Sequence, residues 1–432
     1  MSWQMVLGFE VHVELATASK MFCGCPADHF GKPPNSQTCP VCLGLPGALP
    51  VPNAKAIEWC IKLGLALDCR VNLFSKFDRK NYFYPDLPKG YQISQYDLPF
   101  CHHGQVVLSN GKTIRITRVH MEEDTGKLQH ATVDGKKVSL IDFNRSGVPL
   151  VEIVTEPDFD NTADAIEYLK EIHSLVRFLG ISSADMEKGT MRLEANISVR
   201  PSGQTALPDY KVEVKNVNSF RFIKKAIEFE VARQIKLLES GTRPLQETRG
   251  FSESRGETVS QRTKEEAKDY RYFPEPDIPP FRFTQTQVGD WQKQLPLLPA
   301  GIRAELISRG ILPAKAAQVA SDPGRYHMFT KLTQSGFDTV KAVDIINNIP
   351  PDISNDLDKI IIWAKSKSAT GTTNPAQLRV LAQKVIAANP KVITDIKSGK
   401  TQALFFLIGQ MRREFPDLDV PSAQSLLKDL VG

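Results

Sequence analysis

The stretch Val6-Leu-Gly-Phe-Glu-Val-His-Val-Glu-Leu15 alternates strictly between apolar and polar residues. This alternation is the pattern of a β-strand with one buried face, and we expect the rest of the chain to be organised around it. Its apolar residues are predicted to face a core, whereas three ionisable residues share the opposite face: Glu10, His12 and Glu14. Two carboxylates beside an imidazole repel one another unless a cation or a proton lies between them. Taken alone, the segment is equally compatible with an ordinary solvent-exposed strand.

The same alternation recurs in three later segments: Pro149–Thr155, Met191–Arg200 and Tyr210–Asn216. Each of them carries a carboxylate on its polar face, and these are Glu152, Glu194 and Glu213. If the strands belong to one antiparallel sheet, that face forms a site for divalent cations and a phosphorylated ligand. Mg²⁺ takes oxygen ligands at about 2.1 Å and keeps phosphate oxygens in its shell, so we expect a magnesium site there.

The composition is that of a globular protein. The 432 residues are enough for two or three domains, and the net charge of +5 favours an anionic partner without the density of a dedicated nucleic-acid binder. No apolar run has the length of a membrane span, and the N-terminus lacks a signal-peptide pattern, so we expect a cytoplasmic protein with no membrane partner. Seven cysteines in a chain of this kind argue against a disulfide framework.

Four of the cysteines form two close pairs, Cys23-Gly-Cys25 and Cys39-Pro-Val-Cys42. Two such pairs separated by about a dozen residues have the spacing of a tetrahedral zinc site. The zinc would be structural, because four thiolates leave no open position for water. Four buried thiols that cluster by coincidence are the alternative.

Two loops carry further charge. Phe77–Tyr96 is rich in aromatic residues and contains Arg79, Lys80 and Lys89, so it either contacts phosphates or a carboxylate or forms an aromatic plug at a domain edge. The string His120-Met-Glu-Glu-Asp-Thr-Gly-Lys127 brings three successive acids to a strand end. Metal ligation is favoured there over a solvated acidic turn because other strands already offer carboxylates.

The second half of the chain is predicted to be mainly helical. Thr162–Leu179, with Gly180 as its C-cap, and Ser219–Leu238 have helical periodicity. From Leu297 onward the patterns are short and helical, and Ser366–Asn374 has the composition of a linker. We therefore predict three domains, at residues 1–295, 296–366 and 372–432.

Six strings in the chain resemble the B subunit of the tRNA-dependent amidotransferases: Gly8-Phe-Glu-Val-His-Val-Glu14, Arg79-Lys-Asn-Tyr-Phe-Tyr-Pro85, Gly90-Tyr-Gln-Ile-Ser-Gln95, His120-Met-Glu-Glu-Asp-Thr-Gly-Lys127, Val214-Lys-Asn-Val-Asn-Ser-Phe220 and Asp269-Tyr-Arg-Tyr-Phe-Pro-Glu-Pro-Asp277. The matches occur in order over the whole chain. The resemblance implies an α+β fold, in which an antiparallel-sheet catalytic cradle resembling glutamine synthetase precedes an all-helical domain and a small helical tail domain that binds tRNA.

The resemblance also implies an activity. Enzymes of this family are carbon–nitrogen ligases that convert Glu-tRNA(Gln) or Asp-tRNA(Asn) to the amide. ATP phosphorylates the side-chain carboxylate of the charged amino acid, and ammonia attacks the acyl phosphate. Because the first step brings two anions together, divalent cations are needed to neutralise charge. The implied cofactors are ATP and Mg²⁺, beside the zinc read from the cysteine spacing.

By the resemblance, five residues match the metal and ATP positions: Glu10, His12, Glu123, Glu152 and Glu213. Glu194 is a further candidate metal ligand, although its string Leu193-Glu-Ala-Asn196 stands where the family commonly has Cys-Asp-Ala-Asn. Arg79 and Lys80 are candidates for phosphate or substrate contacts.

The chain contains no Ser-Ser-Lys amidase constellation, so we do not expect it to make its own ammonia. The resemblance implies a glutaminase A subunit that supplies ammonia through a tunnel and a small C subunit, in a heterotrimer. A non-catalytic, zinc-containing tRNA-binding scaffold, an archaeal-type paralogue and a stand-alone amide ligase stay open as alternatives. The mid-chain leaves no room for the paralogue's inserted domain. Whether Glu-tRNA(Gln), Asp-tRNA(Asn) or both are served is not readable from the sequence.

Overall fold

The structure is a computed structural model that describes residues 2–263, 269–354, 356–370, 375–398, 400, 402–415, 418 and 420–431. The chain divides into two compact units. The first comprises Met1–Ser308 with Ala320–Pro323, and the second comprises Arg309–Val319 with Gly324–Gly432. The strands lie in the first unit, and the second unit is helical where it is described.

The strands, in chain order, are β1 (Trp3–Glu14), β2 (Arg70–Val71), β3 (Phe74–Ser75), β4 (Asp78–Asn81), β5 (Tyr91–Ser94), β6 (Cys101–Val107), β7 (Thr113–Glu123), β8 (Lys127–Val133), β9 (Lys136–Asp142), β10 (Pro149–Thr155), β11 (Met191–Pro201), β12 (Val212–Val217), β13 (Glu247–Ser252), β14 (Glu257–Thr263), β15 (Phe273–Pro274) and β16 (Phe281–Arg282).

The helices are α1 (Ala54–Ala66), α2 (Thr162–Phe178), α3 (Phe220–Glu239), α4 (Gln285–Lys293), α5 (Pro299–Ser308), α6 (Pro313–Val319), α7 (Pro323–Gln334), α8 (Thr339–Asn347), α9 (Leu357–Thr370), α10 (Pro375–Ala388), α11 (Pro390–Lys397), α12 (Ala403–Glu414) and α13 (Val420–Val431). The predicted α+β class is therefore confirmed.

The opening stretch of the chain forms β1, which lies near the centre of a nine-stranded sheet ordered β14-β13-β12-β11-β1-β10-β7-β6-β2. Its neighbours β10 and β11 both pair with it in the antiparallel sense, as expected. The sheet departs from the predicted antiparallel pattern between β12 and β13, which are parallel. The predicted polar strands are thus consecutive neighbours, β12-β11-β1-β10, and their polar residues meet on one face.

The other face of this sheet is covered by helices. Alternate residues of β1, among them Phe9, pack with residues of α1, α2 and α3 in one hydrophobic core. The ring of Phe9 contacts Phe159 and Tyr168 at centroid distances of 5.2 and 6.2 Å. Both long helices were predicted to within a residue from their periodicity, and in the structure Asn161 and Ser219 cap their first turns through side-chain hydrogen bonds.

The helices of the second unit have cores of their own, and α10 to α13 pack around residues such as Leu407 and Met411. The predicted linker Ser366–Asn374 is wrong in its first half, because α9 continues to Thr370. Residues 371–374 lie outside the described residues. No helix in the described part of the chain combines the length and apolar composition that a membrane crossing requires.

Candidate active site

The strand register places the predicted ionisable residues in rows across the polar face of the sheet. His12 lies opposite Glu152 on one side and Arg192 on the other. Glu10 lies opposite Glu194. Residues directly opposite one another on a sheet face have Cβ atoms only about 5 Å apart, so the rows produce dense clusters of charge.

The first cluster consists of His12, Glu122 and Glu152, whose potential ligand atoms all lie within 4.8 Å of one another. His12 Nε2 is 3.6 Å from Glu152 Oε2. His120, from the strand on the far side of Glu152, places its Nε2 3.2 Å from the same oxygen and 3.6 Å from Glu122 Oε1. One imidazole and two carboxylates at this spacing can hold one divalent cation.

The charges of this first cluster stabilise one another. Burial alone would lower the pKa of His12, but the charge of Glu152 and its hydrogen bond outweigh burial and raise that pKa to about 9. Burial alone would raise the pKa of Glu152, but the charges of His120 and His12 hold it well below its usual value. Burial likewise opposes ionisation of Glu122, yet Lys80 lowers its pKa to about 2. Positive charge from protonated side chains therefore balances these buried carboxylates without a metal.

The second cluster consists of Glu10, Glu194 and Glu213, again with ligand atoms within 4.8 Å of one another. Lys215 Nζ lies 2.7 Å from Glu194 Oε2 and 3.3 Å from Glu213 Oε1. Burial and the neighbouring charges of Glu152 and Glu194 raise the pKa of Glu10. Three carboxylates therefore lie close together beside Lys215, and a divalent cation at this point would offset both their burial and their mutual repulsion.

Several polar atoms of this face are buried and lack a hydrogen-bond partner among the described residues. These atoms are His12 Nδ1, Arg118 Nε, His120 Nδ1, Arg192 Nε and Asn196 Oδ1. Buried polar atoms are normally paired, and each exception calls for an explanation. Donors and an acceptor that surround two carboxylate clusters are groups that a ligand with phosphate oxygens, or metal ions with their water ligands, can pair.

The structure brings together Glu10, His12, Glu152, Glu194 and Glu213 as predicted, but it does not bring Glu123 to either cluster. Glu123 Oε1 accepts a hydrogen bond from the amide of Ile93 at 3.0 Å and lies 2.5 Å from Lys89 Nζ. Glu122 takes the expected place because it shares the face of His120, two residues earlier on β7. The solvated-turn alternative is wrong, since both acids are only 3% exposed.

The two predicted basic contacts differ in position. Lys80 Nζ lies 3.6 Å from Glu122 Oε1 and over the ring of Tyr270, beside the first cluster. Arg79 instead binds Glu275 through two hydrogen bonds of 2.8 and 2.9 Å. The reason is again the period of the strand, because neighbouring residues of β4 point to opposite faces.

The sequence did not lead to Glu122, His120 or Arg118 as members of this face, and it placed Arg192 on the polar side of its strand without selecting it as a site residue. A usable signal was present in β7, where the face of Glu122 contains Arg118 and His120 at intervals of two. Extending the period-two pattern of the strand to its last residues would have selected Glu122 over Glu123. No comparable signal distinguishes Arg192 from other arginines on exposed strand faces.

The four predicted zinc ligands meet: the Sγ atoms of Cys23, Cys25, Cys39 and Cys42 lie within 4.8 Å of one another. Cys39 Sγ and Cys42 Sγ are 3.8 Å apart. A tetrahedron with Zn–S bonds of about 2.3 Å has sulfur–sulfur edges of about 3.8 Å, so the cluster fits zinc. The hydrogen bond from Cys23 lowers the pKa of the Cys42 thiol to about 4, which provides one thiolate even without metal.

A cavity of about 420 Å³ adjoins the second cluster. Glu10 belongs to both the cluster and the cavity wall, and Asn196, which donates to Glu10 Oε1 at 2.9 Å, also lines the cavity. The remainder of the wall is mostly small or apolar: Val6, Gly8, Val154, Leu207, Pro208 and Tyr210 among others. On the strands themselves, the wall therefore changes from Glu10 to the small and apolar Gly8 and Val154, and the charged Asp209 and Lys211 of the segment around the start of β12 also line it. This volume is in the range of small-molecule pockets, and the change in polarity suits a ligand with one charged and one flat end.

Comparison with known proteins identifies the family of the chain. A family model described as the GatB/GatE catalytic domain matches residues 5–289, and one described as the GatB domain matches residues 342–422. The first match defines the class: proteins with a GatB/GatE catalytic domain.

Curated relatives narrow the class. The chain is 42% identical to the B subunit of the aspartyl/glutamyl-tRNA(Asn/Gln) amidotransferase of Caldanaerobacter subterraneus subsp. tengcongensis, over 96% of each chain. The B subunits of the same name from Thermoanaerobacter sp. and Thermomicrobium roseum are 43% and 41% identical, over 96% and 99% of each chain respectively. The chain belongs to this B-subunit family, as the six sequence strings predicted.

Proposed function

We propose that this chain is the subunit that activates and amidates the amino acid of Glu-tRNA(Gln), Asp-tRNA(Asn) or both. The observation that carries the proposal is the pair of carboxylate clusters on one sheet face, surrounded by buried arginine and histidine nitrogens that have no hydrogen-bond partner in the described part of the chain. The names of its curated relatives support the same reaction. The side-chain carboxylate of the aminoacyl group attacks the γ-phosphorus of ATP, ADP leaves, and ammonia then displaces phosphate from the acyl phosphate.

The clusters fit two divalent cations. We assign His12, Glu122 and Glu152 to one cation and Glu10, Glu194 and Glu213 to the other, and Mg²⁺ suits such oxygen-rich sets. Bound Mg²⁺ would neutralise the charge that builds up when a carboxylate approaches the phosphates. The pKa of His12 is about 9 without metal, so His12 would lose its proton when it acts as a ligand.

The protein's own cations would orient the anionic ligand. Arg118 and Arg192 each keep a buried Nε without a partner among the described residues, and these donors suit phosphate oxygens. Lys80 lies beside Glu122, and its ammonium group can stay in contact with the γ-phosphoryl group of ATP as this group is transferred. We do not assign Arg79 to substrate, because its guanidinium is held by Glu275 and Asp277.

The cavity beside Glu10 is assigned to the nucleoside of ATP. With its phosphates over the acidic face, ATP would have its base near Gly8 and Val154, where the strands carry small and apolar residues. The fold of this cradle is proposed to resemble glutamine synthetase, which solves the same chemical problem of activating a carboxylate with ATP. The zinc at the four cysteines is proposed to be structural.

We propose that ammonia comes from a partner A subunit, with a C subunit completing a heterotrimer, and that the helical tail binds tRNA. The scaffold alternative is not favoured, because the acids of the polar face are clustered and either buried or half-buried. A direct test is single-turnover formation of ADP from ATP and misacylated tRNA by the assembled complex, with ammonium chloride as nitrogen donor. A complex that binds tRNA but forms no ADP would contradict the proposal.

A further inference from the structure

The cysteine site lies in a segment, residues 20–47, that we call the cysteine knuckle, and this knuckle contacts the loop that precedes β5. Gly44 has a φ of +66°. A Cβ atom built on Gly44 would lie 2.6 Å from Lys89 Cγ and 3.2 Å from Lys89 Cα and N. Only glycine fits here, because the backbone is left-handed and the neighbouring chain is too close for any side chain.

Lys89 connects this contact to the acidic strand end. The Nζ atom of Lys89 lies 2.5 Å from Glu123 Oε1, and the lysine side chain is only 12% exposed. Glu123 is also held by the amide of Ile93 at 3.0 Å. Gln92 Nε2 donates both to the carbonyl of Glu123 at 2.8 Å and to Glu122 Oε2 at 3.2 Å. The position of Lys89 therefore bears on Glu123 directly and on Glu122 through one shared amide.

A second set of hydrogen bonds connects the knuckle to the end of β7, through the turn before β10. Ser146 Oγ donates to the carbonyl of Cys42 at 3.0 Å, and the amide of Met21 donates to the carbonyl of Gly147 at 2.7 Å. The amide of Gly147 in turn donates to the carbonyl of Asp124 at 2.9 Å. The knuckle thus reaches both the side chain of Glu123 and the backbone of the next residue.

The knuckle is also fixed internally by a buried ammonium group. Lys20 is fully buried, and its Nζ donates to the carbonyls of Gln37 and Phe143 at 2.8 and 3.3 Å. These two carbonyls belong to the knuckle and to the turn before β10, so Lys20 joins the two. Its charge lies near Cys42, whose thiolate it helps to stabilise. A metal-loaded thiolate cluster, which carries net negative charge, would strengthen this arrangement.

We propose that the cysteine knuckle is a positioning element for the acidic end of β7, acting through Gly44 and Lys89. By holding Lys89 against Glu123, the knuckle neutralises that carboxylate and leaves Glu122 as the acid that faces His12 and Glu152. The zinc site and the carboxylate site are then coupled rather than independent. This inference rests on the proposed metal-binding role of the carboxylate face.

The test compares Gly44→Ala with Gly31→Ala in the full-length chain. Gly31 is a matched control, because it lies in the same knuckle with a φ of +67°, but no atom of the described residues lies within 4 Å of an added Cβ. Both variants carry the same left-handed strain, and only one meets Lys89. The measurements are zinc content, and Mn²⁺ affinity from electron paramagnetic resonance titration with manganese alone as the probe.

We expect Gly44→Ala to keep one zinc equivalent and to bind Mn²⁺ about tenfold more weakly, the scale of losing an outer contact to a metal ligand. Gly31→Ala should match the wild type. Lys89→Met, which keeps the packing on Gly44 but loses the charge, should show the same loss and keeps the proposal testable if Gly44→Ala does not fold. The double variant Gly44→Ala/Lys89→Met should lose no more Mn²⁺ affinity than Lys89→Met alone, because both changes act on the same contact.

Equal Mn²⁺ affinities in Gly44→Ala and Gly31→Ala would overturn the proposal, as would wild-type affinity in Lys89→Met. If the wild type itself binds no Mn²⁺, the proposed carboxylate site fails and this inference fails with it. The two failures are therefore distinguishable from the wild-type titration.

Discussion

Glu122 and Glu123 are consecutive in the chain, yet their carboxylates have different partners. Glu122 Oε1 accepts a hydrogen bond from Ser94 Oγ at 2.8 Å and faces the histidines of the first cluster. Glu123 is bound by the amide of Ile93 and by Lys89. The carboxylate of Glu122 is therefore available to a cation at the first cluster. The carboxylate of Glu123 instead fixes the loop that contains Lys89.

The first prediction separates these two roles. Glu122→Gln should slow ADP formation by about 10²-fold or more. The reason is that the cation that neutralises negative charge during phosphoryl transfer loses one of its anionic ligands. Glu123→Gln should slow ADP formation less, since Glu123 does not hold the cation and only helps to position Glu122. Glu152→Gln should resemble Glu122→Gln. Single-turnover ADP formation from ATP and charged tRNA is the measurement, and added Mg²⁺ should restore part of the loss. Equal rates in all three variants would contradict the assignment.

The second prediction concerns the cysteines. Protein purified without added zinc should contain about one equivalent, bound at about 2.3 Å per sulfur, and Cys39→Ser should lose it. Cys60→Ser is a suitable control, because Cys60 is fully buried in the core and outside the cluster. Metal analysis and thiol alkylation decide the matter. Wild-type protein without zinc, whose four knuckle cysteines all alkylate, would exclude the structural zinc.

The third prediction concerns the nitrogen donor. The chain with glutamine, ATP and charged tRNA should make no amide, because we assign glutamine hydrolysis to a partner. Within the assembled complex, ammonium salts should support amide formation even when the glutaminase of the partner is inactivated. Thin-layer analysis of the aminoacyl-adenosine released by nuclease gives the product directly. Hydrolysis of glutamine by the isolated chain would refute this division of labour.

The fourth prediction concerns the cavity beside Glu10. A Cβ at Gly8 would lie 3.5 Å from Glu156 O, Pro157 Cα and Thr155 Oγ1, which is ordinary contact, so Gly8→Ala should fold and remain active. Gly8→Val adds two further methyl groups at the cavity wall and should raise KM for ATP by about tenfold or more. KM for charged tRNA should stay unchanged. A rise confined to the tRNA would show that the cavity takes another ligand.

The fifth prediction is a pH dependence remote from the site. Burial, together with the nearby charge of Arg177, lowers the pKa of His173, whose ring packs against Phe220 at 5.6 Å. A histidine with a lowered folded-state pKa contributes stability that is present above its unfolded pKa of about 6.5 and is lost as pH falls. Wild-type Tm should therefore fall faster between pH 7 and pH 5 than that of His173→Phe. Parallel Tm curves would show that His173 does not contribute.

Local patterns in the sequence were sufficient for much of this protein. The alternation in Val6–Leu15 predicted the central strand, because the side chains of any strand point to alternate faces. The spacing of four cysteines predicted the cluster that the structure contains. Helical periodicity in Thr162–Leu179 and Ser219–Leu238 predicted two long helices. Each of these features depends on residues close together in the chain, where spacing alone fixes the geometry.

The tertiary structure decided which acids share a site. The choice of Glu122 over Glu123 and the capture of Arg79 by Glu275, 196 residues away, depend on which strands are neighbours. The chain beyond residue 366 shows the same limit, since a Ser- and Lys-rich composition did not prevent α9 from reaching Thr370. Sequence patterns report the faces of single strands and helices. Only the long-range register of the sheet decides which faces meet, and distances between charged groups set their pKa values and the ligands they can hold.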